Sequence, residues 1–173
     1  MGKGNGALPI FADLMNTSFL LIGGNLGKRE QNLTEARDLI GQNCGEILQS
    51  SSLYETAAWG KTDQPSFLNQ ALELRTELKA IPLLHELLKI EKKIGRVRKE
   101  RYGPRLIDID ILLFNDEMRS EGELTLPHPE MQNRRFALAP LNEIAASVTH
   151  PVFHKTIAQL LKECADPLPV KKI

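Results

Sequence analysis

Residues Gly95–Phe114 read GRVRKERYGPRLIDIDILLF, and two patterns meet in them. The first half is basic: Arg96, Arg98, Lys99, Arg101 and Arg105 carry five positive charges against the single acid Glu100. The second half alternates. Leu106, Asp108, Asp110, Leu112 and Phe114 fall on one face, and Ile107, Ile109, Ile111 and Leu113 on the other. A period of two predicts a strand, and the β-branched isoleucines suit a buried face. Asp108 and Asp110 are then neighbours on the opposite face, about 6.5–7 Å apart at Cα for a rise of ~3.3 Å per residue.

Two carboxylates so close repel unless positive charge lies beside them. Mg²⁺ suits such a pair, because it takes oxygen ligands from one or two carboxylates plus substrate phosphates. Arginines just upstream would hold those phosphates by charge-assisted, bidentate hydrogen bonds. Gly103-Pro104 sets a turn between the two halves. The alternative is an exposed loop followed by an edge strand whose aspartates blunt the edge. The five cations and the Gly-Pro turn favour the metal and phosphate reading.

The 173 residues allow one domain with a sizeable core. Lys plus Arg and Asp plus Glu both number 22, so the net charge is zero and argues against a nucleic-acid binder. Cys44 and Cys164 lie far apart with no metal spacing, and a reduced, cytoplasmic setting is the simplest reading. The apolar run Phe19–Ile22 is too short for a membrane span. Residues 1–16 read as a flexible tail, 17–166 as one domain, and 167–173 as a Pro-containing C-terminal tail.

Residues 17–23 read as a buried strand. Gly23-Gly24-Asn25-Leu26-Gly27-Lys28 fails as a P-loop, because Ile22 stands in the place of the first Gly and Arg29 in that of Ser or Thr. A strand-to-helix turn is expected instead, with bare backbone at Gly23 and Gly24 able to approach a flat ligand. Leu33, Ala36, Leu39 and Ile40 predict a helix over 29–42, and 47–54 reads as a strand. Residues 57–66, AAWGKTDQPS, form a connection long enough to suggest function and hold the only Trp, Trp59. Residues 67–76 alternate, with Leu68, Leu72 and Leu74 on one face and Phe67, Asn69 and Ala71 on the other. Asn69 beside Phe67 could read a heterocycle through its amide and a stacking ring, or simply bond nearby backbone.

Ile81-Pro82 opens a second helix whose stripe is Leu83, Leu84, Leu87, Leu88 and Ile94, with Glu91 at its edge and Gly95 as its stop. His128 is held stiffly between Pro127 and Pro129 and could bond a phosphate. His85 matches no motif, and the spacing of His150 and His154 is taken as coincidence. Thr156, Ile157, Leu160, Leu161 and Cys164 predict a last amphipathic helix. The order strand–helix–strand–strand–helix–strand predicts an α+β, ferredoxin-like βαββαβ core with additional C-terminal helices. Adjacent parallel strands through right-handed crossovers are expected.

Three segments carry a resemblance: G-G-N-L; S-S-L-Y-E-T followed by W-G-K-T-D-Q-P-S-F-L-N; and R-V-R-K-E-R-Y-G-P-R-L-I-D-I-D-I-L with L-T-L-P-H-P-E-M-Q-N-R-R-F-A-L-A-P-L. In this order they resemble the 6-hydroxymethyl-7,8-dihydropterin pyrophosphokinases of folate biosynthesis, over roughly residues 18–141. The resemblance implies transfer of pyrophosphate from ATP to the pterin, giving AMP. It implies two Mg²⁺ ions on Asp108 and Asp110, and catalytic roles for Arg96, Arg98 and Arg105. ATP would contact Leu84, Leu88, Arg96, Arg98, Arg105, Ile111, Leu124, Thr125, His128 and Arg134. The pterin would contact Gly23, Thr56, Ala58, Trp59, Phe67, Asn69, Tyr102 and Phe136. A monomer that binds neither nucleic acid nor membrane is expected. The 96–105 loop is expected to act as a lid over ATP. Gly24 replaces a family Ser, Tyr102 a family Trp, and Glu123 a basic residue of some members. The rival readings are a ferredoxin-like RNA-binding module, which lacks its RNP phrase, and a regulatory small-molecule module, which would not need the aspartate pair with five cations.

Overall fold

The computed structural model describes residues 14–97 and 103–173. Its elements are β1 (Asn16–Gly24), α1 (Arg29–Asn43), β2 (Glu46–Ser50), β3 (Tyr54–Thr56), β4 (Phe67–Thr76), α2 (Ala80–Ile94), β5 (Asp108–Phe114), α3 (Arg135–Ala145), α4 (Ile157–Glu163) and β6 (Val170–Lys172). One six-stranded sheet runs β5-β1-β4-β3-β6, with β2 also paired to β4. The α+β, ferredoxin-like expectation holds.

The parallel neighbours expected do not. Every pairing among the described residues is antiparallel. In a split βαβ unit a strand of the other unit lies between the two strands that the helix connects. Here β4 separates β1 from β2 and β3, and β1 separates β4 from β5.

The sheet has two apolar faces. Leu20, Ile22, Leu68, Leu72 and Leu74 pack against Leu33, Ala36 and Ile40 of α1 and Leu83 and Leu87 of α2. Phe19, Leu21 and Ala71 pack against Leu138 and Leu141 of α3 and Ile157 and Leu160 of α4. Cys164 joins this second cluster, as its helical spacing suggested.

The alternation of β5 breaks near its end. Leu20 pairs with Ile111 but Phe19 pairs with Leu113, so Leu112 is an extra residue. A bulge leaves such a residue outside the ladder and bends the strand. Leu112 and Leu113 therefore both join the α3–α4 face, while Phe114 turns to the α1–α2 face. The uniform alternation expected for 106–114 holds only as far as Leu112.

The strand expected over 47–54 is two strands. At the break, Ser51 N–H still donates to Ala71 carbonyl at 2.9 Å, but its Oγ rather than its carbonyl accepts from Ala71 N–H at 2.9 Å, and the carbonyl accepts from Gln70 Nε2 at 2.7 Å. The expected C-terminal tail is also corrected in part. Residues 170–172 form β6, which pairs with β3. Lys172 and the Tyr54 hydroxyl both reach Glu143 of α3. Asp166 is buried and accepts from Arg135 N–H at 3.0 Å.

The α2 helix ends where expected, with Gly95 at φ 103°, a left-handed conformation that glycine adopts without Cβ strain. Glu91 is not at an edge but buried. Its Oε1 accepts from Ile109 N–H at 2.8 Å. Helix α2 thereby satisfies a donor on a strand whose only ladder partner among the described residues is β1. His128 N–H donates to Leu112 carbonyl at 2.9 Å along the same strand.

Candidate active site

The site lies where the carboxyl end of β1, the first half of β5 and the start of β4 come together. Leu21 pairs with Asp110 and Gly23 with Asp108 across β1–β5, and Gly23 pairs with Asn69 across β1–β4. The alternation thus delivers both aspartates and Asn69 to the face that carries Leu21. One pocket there is lined by Leu21, Thr56, Ala57, Trp59, Phe67, Asn69, Arg105, Asp108, Asp110, His128, Arg134 and Phe136.

The aspartates differ in their surroundings. Asp108 is engaged twice: Arg96 Nη1 lies 2.5 Å from its Oδ1, and Arg105 Nη1 lies 3.0 Å from its Oδ2. Arg96 also pairs with Glu91 at 2.7 Å. Burial tends to lower the Arg96 pKa, but Asp108 and Glu91 outweigh it and the net shift is upward. Asp110 stands deeper. Burial first, then the Asp108 charge, raise its pKa to about 7, with Arg134 and Arg105 opposing. An acid so placed is only partly ionised at neutral pH without further positive charge.

A divalent cation fits that pair. Both side chains offer hard carboxylate oxygens, and the raised Asp110 pKa reports the positive charge that the pair lacks. Among the described residues there is no group of three or more His, Cys, Asp or Glu able to hold a metal. Remaining ligands would therefore come from substrate phosphates or water. His150 is buried, and its Nδ1 accepts from Val152 and Phe153 N–H, which fits a loop-structuring role.

Cations and aromatic rings interleave on the other walls. The Arg134 guanidinium lies 5.1 Å from the Trp59 centroid and 5.8 Å from that of Phe136. Arg105 lies 5.2 Å from the Phe67 centroid. Planar guanidinium groups thus occupy positions suited to stacking a flat ring. Arg105 Nε and Arg134 Nε are buried without a hydrogen-bond partner, so each keeps a donor for an anion.

His128 is neutral at neutral pH, because burial and the Arg134 charge lower its pKa to about 4. Its Nδ1 accepts from Glu130 N–H at 3.1 Å. That bond places the imidazole proton on Nε2, as a donor. Asn69 is buried, and its Nδ2 donates to Thr56 Oγ1 at 3.3 Å. A Cβ on Gly23 would lie 2.2 Å from Asn69 Oδ1, so glycine is what lets Asn69 sit there.

Of the expected residues, Thr56, Trp59, Phe67, Asn69, Arg105, Asp108, Asp110, His128, Arg134 and Phe136 come together. Arg96 joins them through Asp108. Ala58 is buried beside the pocket wall rather than in it. Ile111 and Leu124 belong to the α1–α2 core cluster, with Leu84 packed against it, and Leu88, partly buried, lies on the same helix. Thr125 is exposed next to Leu124. These five do not line the pocket. Arg98 and Tyr102 lie outside the described residues. Sequence reasoning missed Leu21 and Ala57, whose small or apolar side chains carry no chemical signal. It also missed Asn25, whose bonds link segments 40 and 80 residues away.

The fold and the site define a class: a ferredoxin-like protein with an arginine-ringed acidic pair facing an aromatic, amide-bearing pocket. Solved structures place the fold. The chain matches Plasmodium falciparum HPPK-DHPS, wild type with pteroate, at TM-score 0.72 and 18% identity, over 86% of this chain and 42% of that one. The S436F/A437G/A613T triple mutant with STZ-DHP matches at TM-score 0.69 and 18% identity, over 86% and 43%. This chain thus spans less than half the length of those chains.

Sequence comparison places the family. Residues 19–146 match the model of 7,8-dihydro-6-hydroxymethylpterin-pyrophosphokinase (HPPK). The 2-amino-4-hydroxy-6-hydroxymethyldihydropteridine pyrophosphokinase of Bacillus subtilis is 43% identical over 77% of this chain and 80% of its own length. That of Haemophilus influenzae is 37% identical over 91% and 98%. The chain belongs to the 7,8-dihydro-6-hydroxymethylpterin-pyrophosphokinase family.

Proposed function

We infer that the pocket around Asp108 and Asp110 is where this chain, a pyrophosphokinase of folate biosynthesis, moves the pyrophosphoryl group of ATP onto a hydroxymethyldihydropterin. The observation that carries the assignment is one pocket joining the aspartates, two guanidinium groups with spare donors, and the Trp59, Phe67 and Phe136 rings.

The transfer forms a bond from the hydroxymethyl oxygen to the β-phosphorus, breaks the link to the α-phosphate and releases AMP. Two Mg²⁺ ions held by Asp108 and Asp110 would neutralise the phosphates and align the reacting oxygens. Arg105 and Arg134 hold phosphate oxygens through their open donors. Arg96 serves the same charge from its place between Glu91 and Asp108. His128 donates from Nε2 to a phosphate oxygen without adding charge. Arg98, on the same basic segment, joins them.

Phe67, Phe136 and Trp59 supply stacking faces for the pterin. The Asn69 amide reads the edge of the ring, held by Thr56 and the bare backbone of Gly23. The family resemblance assigns the adenine to Leu84, Leu88, Ile111, Leu124 and Thr125, which stand outside the pocket that holds the aspartates. Trapping reactants in this geometry, with positive charge aimed at the phosphates, is the main source of rate in such chemistry.

The chain acts as a cytosolic monomer. Both free cysteines are buried, and among the described residues no helix is long and apolar enough to cross a membrane. The deciding experiment is AMP release from ATP with Mg²⁺ and 6-hydroxymethyl-7,8-dihydropterin, against controls lacking pterin or metal. AMP that depends on both is expected; ATP binding with no AMP would overturn the reading.

A further inference from the structure

We propose that Asn25 is a positioning residue that couples the two loops of the active site. The pterin side of this inference rests on the pocket assignment above. Asn25 follows Gly24 at the end of β1 and is 2% exposed. Its amide nitrogen donates to Gln64 Oε1 and to Pro65 carbonyl, both at 2.9 Å. Its amide oxygen accepts from Arg105 N–H at 2.9 Å. Its own N–H donates to Arg105 carbonyl at 3.0 Å. The orientation of the amide is fixed: turned over, its NH₂ would face the N–H of Arg105 and its oxygen would face two acceptors.

One side chain thus ties down the last residues of the 57–66 loop and the last described residues of the basic segment. Both tethers lie next to working groups. Pro65 is two residues before Phe67, and Arg105 carries the guanidinium that stacks on Phe67 at 5.2 Å and bonds Asp108 at 3.0 Å. The basic segment also presses on β1. A Cβ on Gly24 would lie 2.2 Å from Leu106 carbonyl, so the glycine that replaces a family serine permits this approach. Asn32 Nδ2 holds the same carbonyl at 3.4 Å. Asn25 therefore sets where Arg105, Phe67 and the loop bearing Trp59 stand relative to the rigid end of β1.

The two halves of its bonding can be separated. Asn25→Asp keeps an acceptor for Arg105 N–H but loses both donors toward Gln64 and Pro65. Asn25→Ala loses every side-chain bond. Gln64→Ala, at a half-buried position, removes one partner of Asn25 together with the Gln64 Nε2 bond to Lys61 carbonyl at 2.7 Å, and leaves Asn25 itself in place. We expect Asn25→Asp to raise the pterin KM about tenfold with the ATP KM changed less than about twofold. Asn25→Ala should raise both and lower kcat. Gln64→Ala should raise the pterin KM alone by about threefold.

Melting temperatures on the full chains separate a structural role, which would lower Tm without splitting the two KM values. An unsplit or unchanged pair of KM values in Asn25→Asp overturns the inference. If that variant does not fold, an unchanged pterin KM in Gln64→Ala overturns it instead. Asn69→Ala is the control for the pocket itself: an unchanged pterin KM there refutes the pterin assignment, whereas a raised one beside normal Asn25 variants refutes only the coupling.

Discussion

Arg96 and Asp108 form an ion pair 2.5 Å long between the segment that follows α2 and the start of β5. The same guanidinium reaches buried Glu91 at 2.7 Å, whose Oε1 accepts from Ile109 N–H, the donor between the two aspartates. Helix, basic segment and acidic strand are therefore one electrostatic unit.

Arg96→Met removes the cation from that unit. The change leaves a buried carboxylate without its charge partner, which costs about 3 kcal/mol or more. Denaturant unfolding should show that loss. ATP-dependent kcat/KM should fall about 100-fold, the scale on which transition-state charge contacts act. An unfolding midpoint equal to the parent's would refute the role of the Glu91–Arg96 contact.

Asp110→Asn should abolish transfer and yet stabilise the metal-free chain at alkaline pH. The Asp110 pKa is raised from 3.8 to about 7, so the folded chain binds this proton more tightly than the unfolded chain. Its contribution to stability therefore falls as pH rises from 3.8 to about 7. At pH 8 the variant should be more stable by on the order of 4 kcal/mol, and below pH 4 the difference should vanish. Added Mg²⁺ should raise the Tm of the parent and not of the variant.

His128 has the opposite slope. Its pKa is lowered from 6.5 to about 4, so the unfolded chain binds the proton more tightly. Stability is lost as pH falls from 6.5 through about 4. His128→Gln should flatten that limb, recovering on the order of 2 kcal/mol near pH 4. Thermal melts from pH 4 to 8 decide it, and identical acid limbs would refute the neutral, buried imidazole.

Gly23→Ala tests how closely Asn69 is fitted. The new Cβ would meet Asn69 Oδ1 at 2.2 Å and Leu68 carbonyl at 3.2 Å, so the amide must move off Thr56. Pterin KM should rise about tenfold while ATP affinity stays put. Separate titrations with the pterin and with an ATP analogue give the two constants.

Much of this molecule was written locally. The period of two through Asp108 and Asp110 requires a strand with both carboxylates on one face, and Gly95 requires a helix end at its left-handed φ. The stripe of α1 and the alternation of β4 also follow from period alone, because a side chain's direction depends only on its position along the element. The family resemblance added the substrates, and ten of the expected residues share one pocket.

Tertiary structure decided the rest, for one physical reason: the deciding bonds join residues far apart in sequence. The Leu112 bulge depends on register against β1, where Leu113 pairs with Phe19, 94 residues away, rather than on any local pattern. Ser51 breaks a strand only because Ala71 stands across from it. Val170–Lys172 becomes a strand because β3 offers an open edge. Glu91 looked like a helix-edge acid until Ile109 and Arg96 gave it partners in the interior. Asn25 stands in the G-G-N-L segment, but its role shows only once the chain brings Gln64, Pro65 and Arg105 within 3 Å of it.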